Sequence, residues 1–474
     1  MERSISLIIV LALIGLVGDA QAQETTRPNI VLLIADDLGA GDIGAVGHPT
    51  IQTPNLDRLV AGGVHFQRAF ATSSSCSPSR ASIFTGRWPH ATGAEDLHVP
   101  LPTEQRILPE MLREAGYHTM HAGKLHLGEK QAARFDASHA EGDAHYSSGI
   151  VDTSADSWLN LLAERPMDRP FFLSIGYSDP HRPYHEGVIE PPTDPADVIV
   201  PPYLADTPLT RSELALYYDY ARRMDGNVGL VLDWLKQEDL TDETIVLFMS
   251  DNGIPFPRAK TTCYDSGLRV PLVISWPGTL PANQTTDALA SLADVVPTLL
   301  GLVGLEIPDS VQGVDQGGIL RNPAGPAVRE YVFAERNWHN WDDHQRAVRD
   351  TRYKYISNAF PNEPAVPASD LLNSVAYAEL LRLRDLGSLT SAQMRLFMVP
   401  RPGEELYDLS RDPWEFVNLA NDPAFADVKE RMRDALERWT VDDVSPEKRY
   451  HHNVNFYTGE KHGKQSGPPE QWNP

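Results

Sequence analysis

The sequence predicts an α/β fold, with a mixed, mainly parallel central sheet over about residues 24–345 and a small α+β domain after it. Three observations predict it. Several short apolar runs lack polar alternation, so they read as strands buried on both faces. One long stretch carries apolar residues at three- and four-residue steps, the mark of a core-facing helix. Beyond about residue 345 the texture changes to separate short strands and one late helix, which suits a second, smaller unit.

In chain order, the first 22 residues read as a cleavable secretory signal: Arg3, an apolar run from Ile5 to Val17, then Ala20-Gln21-Ala22 as a small-residue cleavage site. This places the mature chain in a secreted or periplasmic space and divides the sequence into 1–22, 23–345 and 346–474. Strands are expected at Asn29–Ala35, Tyr117–Ala122, Pro170–Gly176 and Thr244–Ser250. Each stops at a polar group: Asp36-Asp37, Lys124 with His126, Asp179-Pro180-His181-Arg182, and Asp251-Asn252-Gly253. Ligands of open α/β sheets bind beyond the carboxyl ends of the strands, so these clusters are expected to meet. Helices are expected at Leu108–Ala115, Arg211–Gln237 and Ser291–Leu302, the last broken or kinked near Pro297. The later unit takes strands Tyr353–Ser357 and Glu405–Leu409 and the helix Ala424–Trp439.

The 474 residues are 41% hydrophobic and 22% charged, enough for one large core and a satellite. With Lys+Arg 41 against Asp+Glu 65, the formal charge of −24 argues against nucleic acid or an anionic membrane surface as partner. No apolar run is long enough for membrane insertion. An anionic substrate would therefore meet a local basic pocket. Cys76 and Cys263 are the only cysteines, which leaves either one bridge or two buried thiols.

Cys76 opens the most specific segment, Cys76-Ser77-Pro78-Ser79-Arg80-Ala81-Ser82-Ile83-Phe84-Thr85-Gly86. Pro78 suits the first turn of a helix, which puts Cys76 at the positive end of its dipole. The segment resembles the signature of the type I sulfatases, whose cysteine is converted after synthesis to formylglycine. The likeness runs from about Arg27 to Asp422, through Asp36-Asp37, Gly86-Arg87 with His90, Gly123-Lys124 with His126, Asp179-Pro180-His181, Asp251-Asn252-Gly253 and Glu405-Leu406-Tyr407-Asp408. Asp179–Arg182 and Ser250–Pro257 look most like the N-sulfoglucosamine sulfohydrolase (heparan N-sulfatase, sulfamidase) branch. Tyr264–Pro271 looks more like the wider family, and about 360–400 carries no family pattern.

The resemblance implies an alkaline phosphatase-like α/β/α sandwich and a formylglycine- and calcium-dependent sulfatase. In it, Asp36, Asp37, Asp251, Asn252 and residue 76 hold Ca2+, a hard-oxygen set that suits that ion. Arg80 steadies the matured residue 76, Lys124 and Lys260 clamp the sulfuryl group, and His181 protonates the leaving group. His126 is either a base or a sulfate hydrogen-bond donor, and His90 is structural. Weaker candidates for sugar binding are Asp96, His98, Arg182, and His339 and His344 in the cluster Trp338–His344. The implied partners are a sulfated saccharide and the formylglycine-generating enzyme. Conversion of Cys76 removes the only possible intrachain partner of Cys263, which is then a free thiol.

The favoured substrate is the N-sulfoglucosamine of heparan-type glycans, attacked from the chain end. An O-sulfatase on another polysaccharide, such as one bearing 6-O-sulfated glucosamine or an algal glycan, is the second reading. A phosphatase of the same superfamily would want Thr or Ser at position 76, and a catalytically dead glycan-binding protein would keep Cys76 as a thiol.

Overall fold

The computed structural model describes residues 27–140 and 155–441. The expected signal segment, 1–22, lies outside them. In chain order the strands of the central sheet are β1 (Asn29–Ala35), β2 (Val64–Phe70), β3 (His118–Gly123), β4 (Ala137–Ala140), β5 (Phe171–Gly176), β6 (Thr244–Ser250), β7 (Arg269–Val270), β8 (Leu272–Ser275) and β9 (Gln284–Ser291). Their order across the sheet is β4-β3-β5-β1-β6-β8-β2-β7, with β9 also paired to β2. The pairs β1–β5, β1–β6, β3–β4, β3–β5 and β2–β9 are parallel, while β8 runs antiparallel to β6 and β2, and β7 to β2. The sheet is mixed and mainly parallel, as the sequence predicts.

Successive residues of the central strands serve opposite cores. In β1, Ile30, Leu32 and Ile34 face one core and Val31, Leu33 and Ala35 the other. β6 divides in the same way, Ile245, Leu247 and Met249 against Val246 and Phe248. Apolar demand on both faces is why these segments do not alternate. Helices Cys76–Thr85, Leu108–Glu114 and Val295–Leu302 close the first core; Pro54–Ala61, Ala155–Glu164 and Pro208–Gln237 close the second. The break expected near Pro297 lies ahead of it. A 3-10 turn, Leu292–Asp294, leads into Val295–Leu302, and Pro297 sits in the first turn, where a missing N–H costs no helical bond.

A separate antiparallel sheet follows: β10 (Val332–Arg336), β11 (Gln345–Arg349), β12 (Tyr353–Asn358) and β13 (Glu404–Asp408), in that spatial order. Val348, Tyr355 and Leu406 pack on Met432, Ala435 and Leu436 of the helix Ala426–Trp439. Val332, Ala334, Ala347, Ile356 and Tyr407 join the first core of the main sheet. β10 and the start of β11 thus fall on the N-terminal side of the division expected at 345/346.

Both cysteines are buried and unbridged. Burial pushes the Cys263 thiol up to about 12. Thiol reagent at neutral pH is expected to leave Cys263 unmodified in the folded protein and to label it on unfolding. A 76–263 disulfide in active protein, found by peptide mapping, would overturn this.

The register brings four strand ends level. Ile34 and Gly123 both pair with Gly176, and Ala35 pairs with Ser250, so β3, β5, β1 and β6 finish along one edge. Close approach at that edge needs a glycine. A Cβ on Gly176 would stand 1.9 Å from the Lys124 carbonyl oxygen and 3.0 Å from Arg80 Nη1.

Candidate active site

At this edge the polar groups predicted to converge do so. Ligand atoms of Asp36, Asp37, Cys76 and Asp251 lie within 4.8 Å of one another, all buried. The helix Cys76–Thr85 begins at Cys76, with Ser75 extended before it and Pro78 in its first turn, so residue 76 faces the carboxylates from the helix N-terminus. Cys76 Sγ is 3.4 Å from Asp36 Oδ1 and 3.9 Å from Asp37 Oδ1. Burial, foremost, pushes this thiol well above its ordinary value, so unconverted Cys76 is a neutral, weak nucleophile. Asn252 donates through Nδ2 to Asp37 Oδ1 at 2.6 Å, and its own Oδ1 is buried without a hydrogen-bond partner.

Cations ring the carboxylates. Arg80, fully buried, donates through Nε to Asp251 Oδ2 at 2.7 Å and through Nη1 to the Lys124 carbonyl at 2.6 Å. Its Nη2 is buried without a partner. Lys124 Nζ lies 2.5 Å from Asp36 Oδ2, and Lys260 Nζ 2.8 Å from Asp37 Oδ2. Burial alone would lower both lysines. For Lys124 the charge of Asp36 outweighs it, and for Lys260 that of Asp37, so both are raised. Asp36 is held below the usual carboxylate range because Lys124 and the other cations outweigh its burial. Asp251, by contrast, is pushed up to about 7 by burial and then by Asp36.

The histidines separate by environment. His181 donates from Nδ1 to the Arg182 carbonyl at 2.5 Å; a carbonyl only accepts, so Nε2 is the nitrogen that gains or gives a proton. Nε2 stands 3.7 Å from Asp37 Oδ2 and 3.6 Å from Asp370 Oδ2. His126 Nε2 shares a hydrogen bond of 2.8 Å with His98 Nδ1. Burial, then the charge of Lys124, holds His126 well below the ordinary imidazole range, and the same causes lower His98 to about 4. Both shifts favour the neutral imidazole. The expectation that His90 is structural fits its bonds to Glu335 at the end of β10, 2.6 Å from the backbone and 3.0 Å from Nδ1.

The sugar-binding candidates divide. His98 joins the cluster through His126, and its backbone N–H donates to Ser77 Oγ. His339 Nδ1 bonds Ser75 Oγ at 2.7 Å, against the residue before Cys76. Asp96 accepts the Trp338 backbone N–H at 2.9 Å, joining its loop to the same segment. The Arg182 guanidinium is turned inward, on Glu213 Oε1 at 2.5 Å and the Pro255 carbonyl, with the rings of Tyr184 and Phe256 at 4.9 Å. His344 packs its ring near Phe360, and its backbone N–H donates to Asp343 Oδ1.

Sequence reasoning missed Asp370. It comes from the turn of helix Ser369–Leu372, inside the stretch that carries no family pattern, and lies 3.0 Å from Lys260 Nζ. Burial would raise its carboxyl, but Lys260 and then His181 bring it below the usual range.

Three buried carboxylates and an amide oxygen form a hard donor set for a divalent cation such as calcium. Two observations fit that ion: Asn252 Oδ1 lacks a donor, and Asp251 is raised by burial and then by the charge of Asp36, both of which a bound cation would offset. The whole is a buried cluster of hard donors ringed by cations, with Cys76 facing it from a helix N-terminus.

Comparison with known proteins agrees with this chemistry. Residues 28–305 match the family model described as Sulfatase, and 258–365 match that described as N-sulphoglucosamine sulphohydrolase, C-terminal. The chain is 33% identical over 460 residues to human N-sulphoglucosamine sulphohydrolase, covering 89% of this chain and 91% of that protein. It is 32% identical to an ulvan-active sulfatase of Formosa agariphila, over 87% of this chain and 74% of that one. Among solved structures, a protein in complex with its substrate D-glucosamine-2-N,6-O-disulfate superposes with a TM-score of 0.70 at 20% identity, covering 89% of this chain and 100% of the other. The phosphonate monoester hydrolase of Agrobacterium radiobacter gives 0.68 at 20% identity, over 90% and 98%. These likenesses in structure show the shared fold.

Proposed function

The chain belongs to the sulfatase family and hydrolyses sulfate from an ester or a sulfamate, and from that premise we propose that it removes the N-sulfate of a terminal glucosamine in heparan-type glycans. The observation that carries the chemistry is the meeting of Asp36, Asp37, Asp251 and Asn252 with the helix-borne Cys76, inside a ring of Lys124, Lys260, His126 and His181. For the sugar, support comes from the identity along nearly all of the human N-sulphoglucosamine sulphohydrolase and from the C-terminal family match. In this reading the chain carries a cleavable signal at 1–22, is secreted or periplasmic, and is matured by the formylglycine-generating enzyme.

Asp36, Asp37, Asp251, Asn252 and residue 76 would hold calcium, and the formylglycine made from Cys76 would supply the oxygen nucleophile while the ion polarises it. Lys124 and Lys260 clamp the sulfuryl oxygens, where charge is spread as the bond to sulfur breaks. His181 Nε2 gives a proton to the leaving atom. His126, kept neutral beside His98, hydrogen-bonds the sulfuryl group. Arg80 fixes Asp251 and the backbone of Lys124.

The side chain of Asp37 is 0% exposed, that of His181 18% and that of Asp370 25%, so His181 and Asp370 form the solvent-facing side of the centre. His98, bonded to His126, and His339, bonded to Ser75 beside Cys76, are the sugar-binding candidates that adjoin the centre.

An O-sulfatase on another polysaccharide is the second reading, favoured by the likeness to the ulvan-active sulfatase and by the Tyr264–Pro271 segment. Matured chain should release sulfate from N-sulfoglucosamine at the non-reducing terminus of a disaccharide. Release only from 6-O-sulfated glucosamine or an algal glycan would overturn the N-sulfate assignment and leave the sulfatase chemistry standing.

A further inference from the structure

Asp370 differs from the other carboxylates of the centre in where it comes from and what it faces. Asp36, Asp37 and Asp251 follow strand ends and are 0% exposed, whereas Asp370 sits on a short helix of the later segment and keeps 25% of its side chain open. It is held firmly. The Ser369 N–H donates to Asn340 Oδ1 at 2.9 Å, and the neighbouring His339 bonds Ser75 Oγ, so one loop braces both Asp370 and the start of the Cys76 helix. Its carboxylate lies 3.0 Å from Lys260 Nζ and 3.6 Å from His181 Nε2. In the reading above, these are a sulfuryl clamp and the donor to the leaving atom. A leaving atom within hydrogen-bond reach of Nε2, ~3 Å, therefore falls beside Asp370.

A carboxylate there is an acceptor with no proton to give. The nitrogen of a sulfamate carries an N–H that such an acceptor can bind. The bridging oxygen of a sulfate ester carries only lone pairs, which it repels. We infer that Asp370 selects a nitrogen leaving group, accepting a hydrogen bond from the sulfamate N–H and then holding the amine that departs. As the S–N bond breaks, its electron pair stays on nitrogen, His181 Nε2 gives that nitrogen a proton, and the sulfuryl group passes to the oxygen nucleophile. The product amine takes up a further proton from water below its own pKa, and the ammonium pairs with Asp370. This rests on the N-sulfatase reading and names the residue that makes it specific.

The test uses the matured full chain with calcium, assayed on N-sulfoglucosamine and on an aryl sulfate ester. Disturbing Lys260 lowers both rates together, so the readout is their ratio. Asp370→Asn should lower kcat/KM for the sulfamate relative to the ester by roughly 10- to 100-fold, the scale of a hydrogen bond to a charged group. It should also weaken inhibition by glucosamine at pH 6 while leaving inhibition by N-acetylglucosamine unchanged. Asp370→Glu, which keeps the charge, should restore part of both effects, and it serves as the test if the Asn variant does not fold. An unchanged ratio with unchanged glucosamine inhibition would overturn the role of Asp370 alone. Wild-type enzyme that cleaves the ester but no sulfamate would overturn the N-sulfatase reading with it.

Discussion

Cys76→Ala is expected to lower sulfate release by at least ~10⁴-fold, the scale seen when a nucleophile is removed from a preorganised site. The loss should fall on kcat, because the lysines that bind the sulfuryl group are untouched. The fold should hardly notice. The Cys76 thiol is 3% exposed and makes only long contacts, at 3.4 and 3.9 Å, with Asp36 and Asp37. Deleting one buried sulfur is then expected to cost about 1 kcal/mol. Initial rates and a melting curve on the same preparation check both halves, and turnover retained in the variant would remove residue 76 from the mechanism.

Asp251→Ala should abolish activity by another route and cost much more stability. Asp251 is a metal-ligand candidate and also the counterion of Arg80, with both side chains 0% exposed. Breaking a buried pair by removing one member leaves an uncompensated charge, at a cost of about 3–5 kcal/mol. Asp251→Asn, which keeps the shape and an acceptor for Arg80, should recover part of that stability but not the activity. Calcium separates the two roles. The wild-type melting temperature should rise with added calcium, since a ligand that binds only the folded state stabilises it, and the alanine variant should not respond. Exhaustive chelation should abolish turnover, with calcium restoring it; full activity after chelation would contradict the metal assignment.

The parts of the site that were legible in the sequence are those whose signal is local. Asp36-Asp37 and Asp251-Asn252 each follow an unbroken apolar run, and parallel pairing then brings the two runs side by side, with Ala35 against Ser250. Pro78 marked the first turn of the Cys76 helix for the same reason: its effect on backbone geometry acts within a few residues. What was not legible depends on partners far along the chain. Asp370 lies in a stretch without motif or apolar period, and only folding carries it to Lys260, 110 residues earlier. Arg182, next to His181, reads naturally as a sugar ligand, yet its partners Glu213 and Pro255 are 31 and 73 residues away and turn it inward. His339 and His344 looked equivalent inside one aromatic-rich cluster. The fold separates them, giving His339 to Ser75 and placing His344 beside Asp343 and Phe360.

The most direct test of the whole account joins the state of residue 76 to turnover. Preparations coexpressed with increasing amounts of formylglycine-generating enzyme would be digested with trypsin, and the fraction of the peptide ending at Arg80 that carries aldehyde in place of thiol would be measured by mass. Sulfate release from N-sulfoglucosamine should rise in proportion to that fraction and extrapolate to zero in wholly thiol protein. Undiminished turnover in a preparation whose Cys76 is entirely thiol would contradict it.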